Sequence, residues 1–433
     1  MRLLFLHQNF PGQYKHLARH FAGLPQVQAV ALGEAVNLKD RPAPPGIRLL
    51  GYRSPQGASA QTHHYLRSAE AAVRRGQTVA RACLDLKRQG FRPDLVCAHA
   101  GWGESLYIKD VFPDTKLLTF FEFYYQAEGG DLGFDPEFPA SFDDRCRART
   151  RNTTHLLSLA GTDWGITPTR WQHAQFPALA RRCIDVVFDG IDTDAVTPDP
   201  GAMLRLADGT VLTRTDEVIT YVARNLEPYR GFHVFMRALP EILRRRPKAR
   251  VLIVGGDEVS YGCAPQDGRT WRAFMMGEVG ARLDLGRVHF LGRVPYNRFL
   301  EILRVSGVHV YLTYPFVLSW SMMEAMAAGC AVVGSATGPV REVIADGDNG
   351  FLVDFFDWQA IADAVDRVFE EPGRCAAVRE RARRTVVERY DLARCCLPDQ
   401  LALLQDVLDG RRSATETADE MAKGTERAGA AAS

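Results

Sequence analysis

Apolar and polar positions along this chain fall into two successive series of short apolar runs, separated by longer stretches with a helical period. In the first series the runs at residues 3–6, 27–32, 47–52, 95–99, 116–121 and 184–188 predict strands. The patterns at 63–89 and 142–159 predict helices between them. The second series predicts strands at 218–223, 250–254, 288–291, 308–312, 331–334 and 351–353, with helices at 233–246, 297–305 and 358–369. Strand and helix in alternation predict an α/β chain of two doubly wound parallel-sheet domains. The expected boundaries are 1–195 for the first domain and 216–390 for the second, with 196–215, rich in turn residues, as a linker. A helix at 391–411 is expected to pack back towards the first domain, and the polar stretch 412–433 to be disordered.

Composition narrows the class. With 433 residues and a net charge of +1, the chain is long enough for two cores and carries no field that would recruit nucleic acid. No apolar run approaches the roughly 18 residues of a membrane span. Met1-Arg2 leads directly into the short run 3–6, too brief for a secretion signal, so a cytoplasmic location is expected. The nine cysteines show no paired spacing and read as reduced, mostly buried thiols.

The candidate chemistry sits where predicted strands end. The most informative stretch is 314–333: a polar loop, a short helical pattern closed by Gly329, and a further apolar run. A helix N-terminus after a parallel strand attracts anions, so the segment 316–321, with Phe316, Ser319, Trp320 and Ser321, is where a phosphate-bearing ligand would sit. Glu324, one turn on, could reach a hydroxyl beside it. After the run 218–223, Arg224 and Arg230 flank a loop able to close two guanidinium forks on a diphosphate; surface arginines on a solvated loop are the alternative. Gly12 and Gly256 follow strands at 3–6 and 250–254 and permit close backbone approach to a ligand, or simply make turns. His99 and Glu122 end adjacent strands of the first domain and would face a cleft between domains, where histidine could orient a hydroxyl and a carboxylate could accept from a sugar. A core histidine and an ion-paired carboxylate are the competing readings. The sequence carries no phosphate-binding Walker loop, no Gly-x-Gly-x-x-Gly, no zinc spacing and no Gly-x-Ser-x-Gly.

These residues carry a resemblance. The segments Tyr221-Val222-Ala223-Arg224 with Arg230-Gly231, 288–294, 324–333 and Asn349-Gly350-Phe351-Leu352-Val353, with Gly338 and Glu342, resemble the nucleotide-sugar-binding domain of retaining GT-B glycosyltransferases of family four, the group 1 type. The resemblance extends over roughly 1–405 and is strongest at 218–355. It implies two Rossmann-like domains facing across a cleft, the first for the acceptor and the second for the donor. It also implies transfer of a hexose from a nucleotide diphosphate sugar (UDP, GDP or ADP) to an acceptor hydroxyl, in glycan, glycolipid or polysaccharide synthesis. Arg224 and Arg230 would hold the donor diphosphate, Glu324 the ribose and Gly12 the phosphate side. His99 or Glu122 would lie by the acceptor, a saccharide or lipid-linked saccharide. No cofactor and no metal are expected, because the arginines take the charge role. Lipid acceptors would imply transient membrane-surface contact, for which the basic helical stretch from His63 to Arg88 could provide an edge.

One departure matters. The family's Glu-seven residues-Glu motif has its second glutamate at Glu324 but Phe316 at the first position, and Val317-Leu318-Ser319 where Gly-Phe-Gly is usual. The alternative function that follows is a donor-binding, catalytically inactive partner that scaffolds an active transferase.

Overall fold

The computed structural model describes residues 1–39 and 44–414 and divides the chain into two compact units, Met1–Asp189 with the segment from Cys396 onward, and Gly190–Cys395. In the first unit, strands β1 (Arg2–Leu6), β2 (Gln28–Glu34), β3 (Ile47–Tyr52), β4 (Leu95–His99), β5 (Lys116–Phe120), β6 (Trp164–Thr167) and β7 (Ile184–Val186) form one sheet in the order β3-β2-β1-β4-β5-β6-β7. Every neighbouring pair is parallel. Successive side chains of a strand point to opposite faces. Leu3 and Phe5 therefore join a core with Leu17 and Phe21 of the helix Lys15–Ala22 and with Leu403, Leu404 and Val407 of the helix Leu397–Leu408. Leu4 and Leu6 face the other way, onto Val79, Cys83 and Leu86 of the helix Arg67–Arg88. Burial on both faces is why these strands read as unbroken apolar runs.

The second unit opens with an antiparallel hairpin, β8 (Met203–Arg205) and β9 (Val211–Thr213). Its main sheet comprises β10 (Val218–Asn225), β11 (Arg250–Gly256), β12 (Val288–Gly292), β13 (Val308–Tyr311), β14 (Ala331–Ser335) and β15 (Phe351–Val353), ordered β12-β11-β10-β13-β14-β15 and parallel throughout. In each sheet the winding reverses once, between β1 and β4 and between β10 and β13. Loops leaving neighbouring strands at such a point diverge to opposite faces, and the gap outside their carboxyl ends is where open α/β sheets bind ligands.

Three features differ from the sequence reading. β6 is a strand of only four residues, too short for its period to register. The helix expected at 142–159 is two, Phe142–Arg151 and Thr153–Gly161, broken at Asn152. The stretch 196–215 is no linker. Leu204, Leu206 and Leu212 are buried in one cluster with Val218, Leu252 and Ile302, so its turn residues close a hairpin of the second unit, which begins at Gly190. The polar stretch 412–433 lies, from residue 415 on, outside the described residues.

Leu204→Ala should lower the stability of the second unit by about 2–5 kcal/mol, the cost of emptying a fully buried leucine site. Urea unfolding checks this; a change within roughly 0.5 kcal/mol would mark residue 204 as an uncoupled surface position after all.

Candidate functional site

The second unit brings a buried cation to the reversal point of its sheet. β10 runs on through Arg224 to Asn225, with its pairing to β11 shifting register after Val222. A single tight turn, Pro228–Arg230, follows and ends at Gly231 with φ 68°. A Cβ at Gly231 would lie 2.4 Å from that of Leu312, so only glycine fits. The turn sends Arg230 inward, where Nη1 donates to the hydroxyls of Tyr311 (3.1 Å) and Thr313 (2.9 Å) and to the carbonyl of Val317 (2.9 Å). Its guanidinium carbon stands 5.4 Å from the Tyr261 ring centre and 6.0 Å from that of Phe316. All these partners are neutral, and no carboxylate pairs with Arg230 among the described residues. A permanently charged guanidinium buried without a counter-anion is costly unless an anion arrives.

The loop after β13 closes on this group. The backbone N–H of Ser319 donates to the Tyr311 hydroxyl (2.8 Å), so one phenol oxygen accepts from both Ser319 and Arg230. Ser319 caps the helix Trp320–Ala327, accepting the N–H of Ser321, which places that helix's positive end beside the loop. Phe316 is buried among Tyr229 (5.5 Å) and Tyr261 (4.9 Å). Glu227, fully buried, accepts the backbone N–H groups of Ser260 (3.1 Å), Tyr261 (3.1 Å) and Gly262 (2.9 Å) and thereby fixes the loop that follows β11. At the end of β11 a Cβ on Gly256 would meet Asn225 Oδ1 at 2.5 Å and Arg293 Nε at 2.7 Å. Glu324 accepts the Tyr296 hydroxyl at 2.8 Å; burial and then the Glu324 carboxylate push the Tyr296 pKa up, so the phenol keeps its proton and donates.

The first unit gathers a second polar group at its own reversal point. His7 follows β1, His99 ends β4, and Glu122 lies just past β5. The N–H of Gly101 donates to His99 Nδ1 (2.9 Å), which leaves the ring proton on Nε2, 3.7 Å from Glu122 Oε2. Gln13 Nε2 donates to Glu122 Oε1 (2.9 Å). His99 stacks on Trp102 at 4.3 Å and on Phe120 at 5.4 Å. Burial alone would raise the Glu122 pKa, but the neighbouring His99, then His7 and the hydrogen bond from Gln13, hold it below the usual carboxylate range. Its backbone is equally constrained. Gln172 donates to the Glu122 carbonyl, and the buried side chain of Asn152 pairs with both the N–H (2.9 Å) and the carbonyl (2.8 Å) of Tyr125. Behind this group, Arg75 Nη1 donates to Glu34 (2.5 Å) and to the Tyr52 hydroxyl (2.9 Å), and Tyr52 donates to the buried Glu104 (3.0 Å). Burial, opposed by Arg75, raises the Glu104 pKa.

Two family models match consecutive stretches of the chain: the glycosyl transferase family 4 group over residues 26–196 and the glycosyl transferases group 1 over 208–385. The chain belongs to the group 1 glycosyltransferases. The D-inositol 3-phosphate glycosyltransferase of Rhodococcus jostii is 31% identical over 203 residues, 46% of this chain and 43% of that protein. A GDP-mannose-dependent α-(1-6)-phosphatidylinositol monomannoside mannosyltransferase of Mycolicibacterium smegmatis is 29% identical over 253 residues, 58% of this chain and 62% of that protein. The chain thus spans about half the length of the curated relatives it matches. Among solved structures, sucrose-phosphate synthase from Thermosynechococcus elongatus aligns with a TM-score of 0.72 at 17% identity, over 94% of this chain and 98% of that one. Anabaena HepE in complex with UDP and glucose aligns with a TM-score of 0.66 at 17% identity, over 94% and 100%. At that identity the likeness speaks to the fold, which is GT-B.

Set against the family's expected site, the structure gathers Arg230, Phe316, Ser319 and the start of the helix bearing Trp320, Ser321 and Glu324. Arg224 is not drawn in: it belongs to β10, is exposed, and has no hydrogen bond or ion pair among the described residues. His99 and Glu122 meet in the first unit, and Gly12 lies against the ring of His7, which stands edge-on to His99. The basic helical stretch offers little free charge, since Arg74 pairs with Glu70, Arg75 with Glu34 and Arg88 with Asp85, and Lys87 donates to the Val111 carbonyl. Among the described residues no helix is long and apolar enough to cross a membrane. Sequence reasoning missed His7, Gln13, Glu104, Asn152, Glu227 and Tyr311. For Glu227 a signal existed, a carboxylate directly before the turn Pro228–Arg230; Glu104, Asn152 and, through Arg230, Tyr311 have partners remote in sequence, as Gln13 has in Glu122.

Glu104 yields a signed pH prediction. Its folded-state pKa is raised, so the stability it allows is complete below the unfolded value, about 4.3, and is lost as pH rises towards the folded value. Glu104→Gln, which keeps an acceptor for Tyr52, should match wild type near about pH 4 and become the more stable protein as pH rises. Denaturant midpoints over that range check it, and a difference independent of pH would refute the assignment.

Proposed function

We propose that this protein is a retaining glycosyltransferase that moves a hexose from a nucleotide diphosphate sugar to an acceptor hydroxyl. The observation that carries the reading is Arg230: a buried guanidinium held only by neutral acceptors, beside a capped helix N-terminus, is a seat for a doubly charged leaving group. In this reading Arg230 and the N-terminus of Trp320–Ala327 stabilise the charge that grows on the β-phosphate as the sugar C1–O bond breaks. Arg224, exposed on β10, is free to swing onto the diphosphate, and Glu324 takes the ribose. The acceptor oxygen bonds to C1 on the face that the phosphate leaves, and its proton passes to the departing phosphate oxygen. Glu122 and His99, at the strand ends of the first unit, are assigned to the acceptor side, where an ionised carboxylate can accept from a sugar hydroxyl.

The named relatives use inositol-containing acceptors, and a GDP-mannose donor in one case; the HepE structures hold UDP or UDP-glucose. These support a saccharide or lipid-linked acceptor and a nucleotide-sugar donor. We assign the reaction to the cytoplasm, with contact to a membrane surface when the acceptor is a lipid. The arginines and the helix supply the positive charge, so turnover should persist in EDTA; its loss on chelation and return with a divalent cation would overturn that assignment.

A donor-binding partner without turnover is the second reading, and the burial of Phe316 among aromatic rings favours it. Thermal unfolding with UDP-, GDP- and ADP-sugars separates the two. A nucleotide sugar at a hundredfold excess over Kd should stabilise the fold by about 2.7 kcal/mol. Arg230→Ala should abolish that shift, and with it donor hydrolysis, by roughly a hundredfold or more. A shift without turnover for any acceptor tried points to the partner. No shift with any nucleotide removes the donor site itself.

A further inference from the structure

Next to Glu122 lies a hydrogen-bonded chain that the transfer reaction as described does not use. The N–H of Asn9 donates to His7 Nδ1 at 2.9 Å, and His7 Nε2 lies 2.7 Å from Gln13 Oε1. A ring nitrogen that accepts a backbone N–H must present a lone pair, so the proton of neutral His7 is on Nε2. Gln13 must then turn its carbonyl to His7 and its NH2 to Glu122, which as a carboxylate can only accept. Both ends of the amide thus agree on one orientation. The chain is also boxed in. His7 stands edge-on to His99 (5.3 Å) and Trp102 (5.2 Å), and Gly12, with φ 48°, lies so close that a Cβ would meet the His7 ring at 2.4 Å. Gly12 is therefore required for contact with His7, whatever part it also has in approaching a ligand.

We infer that His7 and Gln13 are positioning residues that aim Glu122 and keep it ionised. The inference rests on reading Glu122 as the acceptor-side carboxylate and goes further by naming what orients it. The groups facing Glu122 are His99 from the end of β4, His7 and Gln13 from beyond β1, and His155 from the helix Thr153–Gly161. Burial and the neighbouring charges hold His155 down at about 3, so it stays neutral. Protonating His7 at Nδ1 would expel the Asn9 N–H. Removing Gln13 would strip a donor from the ionised form of Glu122, so its pKa would rise.

The test is a 13C NMR titration of the Glu122 carboxylate in the full chain, assigned by its loss in Glu122→Gln, together with the pH dependence of kcat/KM. Gln13→Ala should move the Glu122 titration to higher pH, and the acid limb of kcat/KM should move with it, while the thermal shift given by a nucleotide sugar stays the same. His7→Phe keeps a ring in the box but lets the Gln13 amide turn over, and should give the same upward displacement. An unchanged Glu122 titration in both variants overturns the inference. A displaced titration with an unmoved rate limb upholds the relay and instead rejects Glu122 as a group of the reaction.

Discussion

A parallel sheet covered by helices on both faces is open to water only at its ends, and this constraint organises both units. Along β1 every side chain from Leu3 to Leu6 is fully buried, alternately against one helical layer and the other. No polar group can be accommodated there without a partner. Chemistry is left to the residues just past the strands, and the reversal of winding between β1 and β4, and between β10 and β13, decides which of those residues have room around them. His7, His99 and Glu122 in one unit and Arg230, Tyr311 and Ser319 in the other all occur at such places.

The two polar groups are built on opposite principles. Around Glu122 the charge is met by the NH2 of Gln13, with His99 Nε2 3.7 Å from the other oxygen, and the main chain is held by Gln172 and Asn152. Around Arg230 the hydrogen bonds fix the direction of the guanidinium but leave its charge unanswered. A preformed acceptor suits a neutral hydroxyl that arrives with little charge of its own. An unanswered cation suits a ligand that brings its own negative charge, and the desolvation cost of Arg230 is offset only when that ligand is bound.

The fold was legible because its signal is local. Short apolar runs and the helical spacing between them need no knowledge of distant neighbours, and all 12 runs read from the sequence overlap strands of the two main sheets, as 95–99 does with β4. Where local signal was weak the reading failed: β6 has four residues, and the turn residues of 196–215 conceal a hairpin whose buried leucines alternate with polar positions. The site was legible by position and illegible by partner. Arg230, Glu324, His99 and Glu122 stand at element ends that a sequence marks, but nothing near Tyr311 in sequence announces that its hydroxyl joins Ser319 to Arg230. Arg224 shows the reverse failure, since a strand extended by two residues left it on β10 with its side chain in solvent.

The helix Leu397–Leu408 belongs to the core of the first unit, although the whole second unit precedes it in the chain. Leu403, Leu404 and Val407 cover the same face of the sheet as Leu3, Phe5 and Leu118, and Gln400 donates to the carbonyls of Phe188 and Asp189. During synthesis, then, the unit made first is the one completed last. Until about residue 408 has emerged, one face of its sheet lacks part of its cover, while the second unit already has every residue of its own core. A fragment ending at Asp189 should accordingly be more readily proteolysed than the same residues in the full chain.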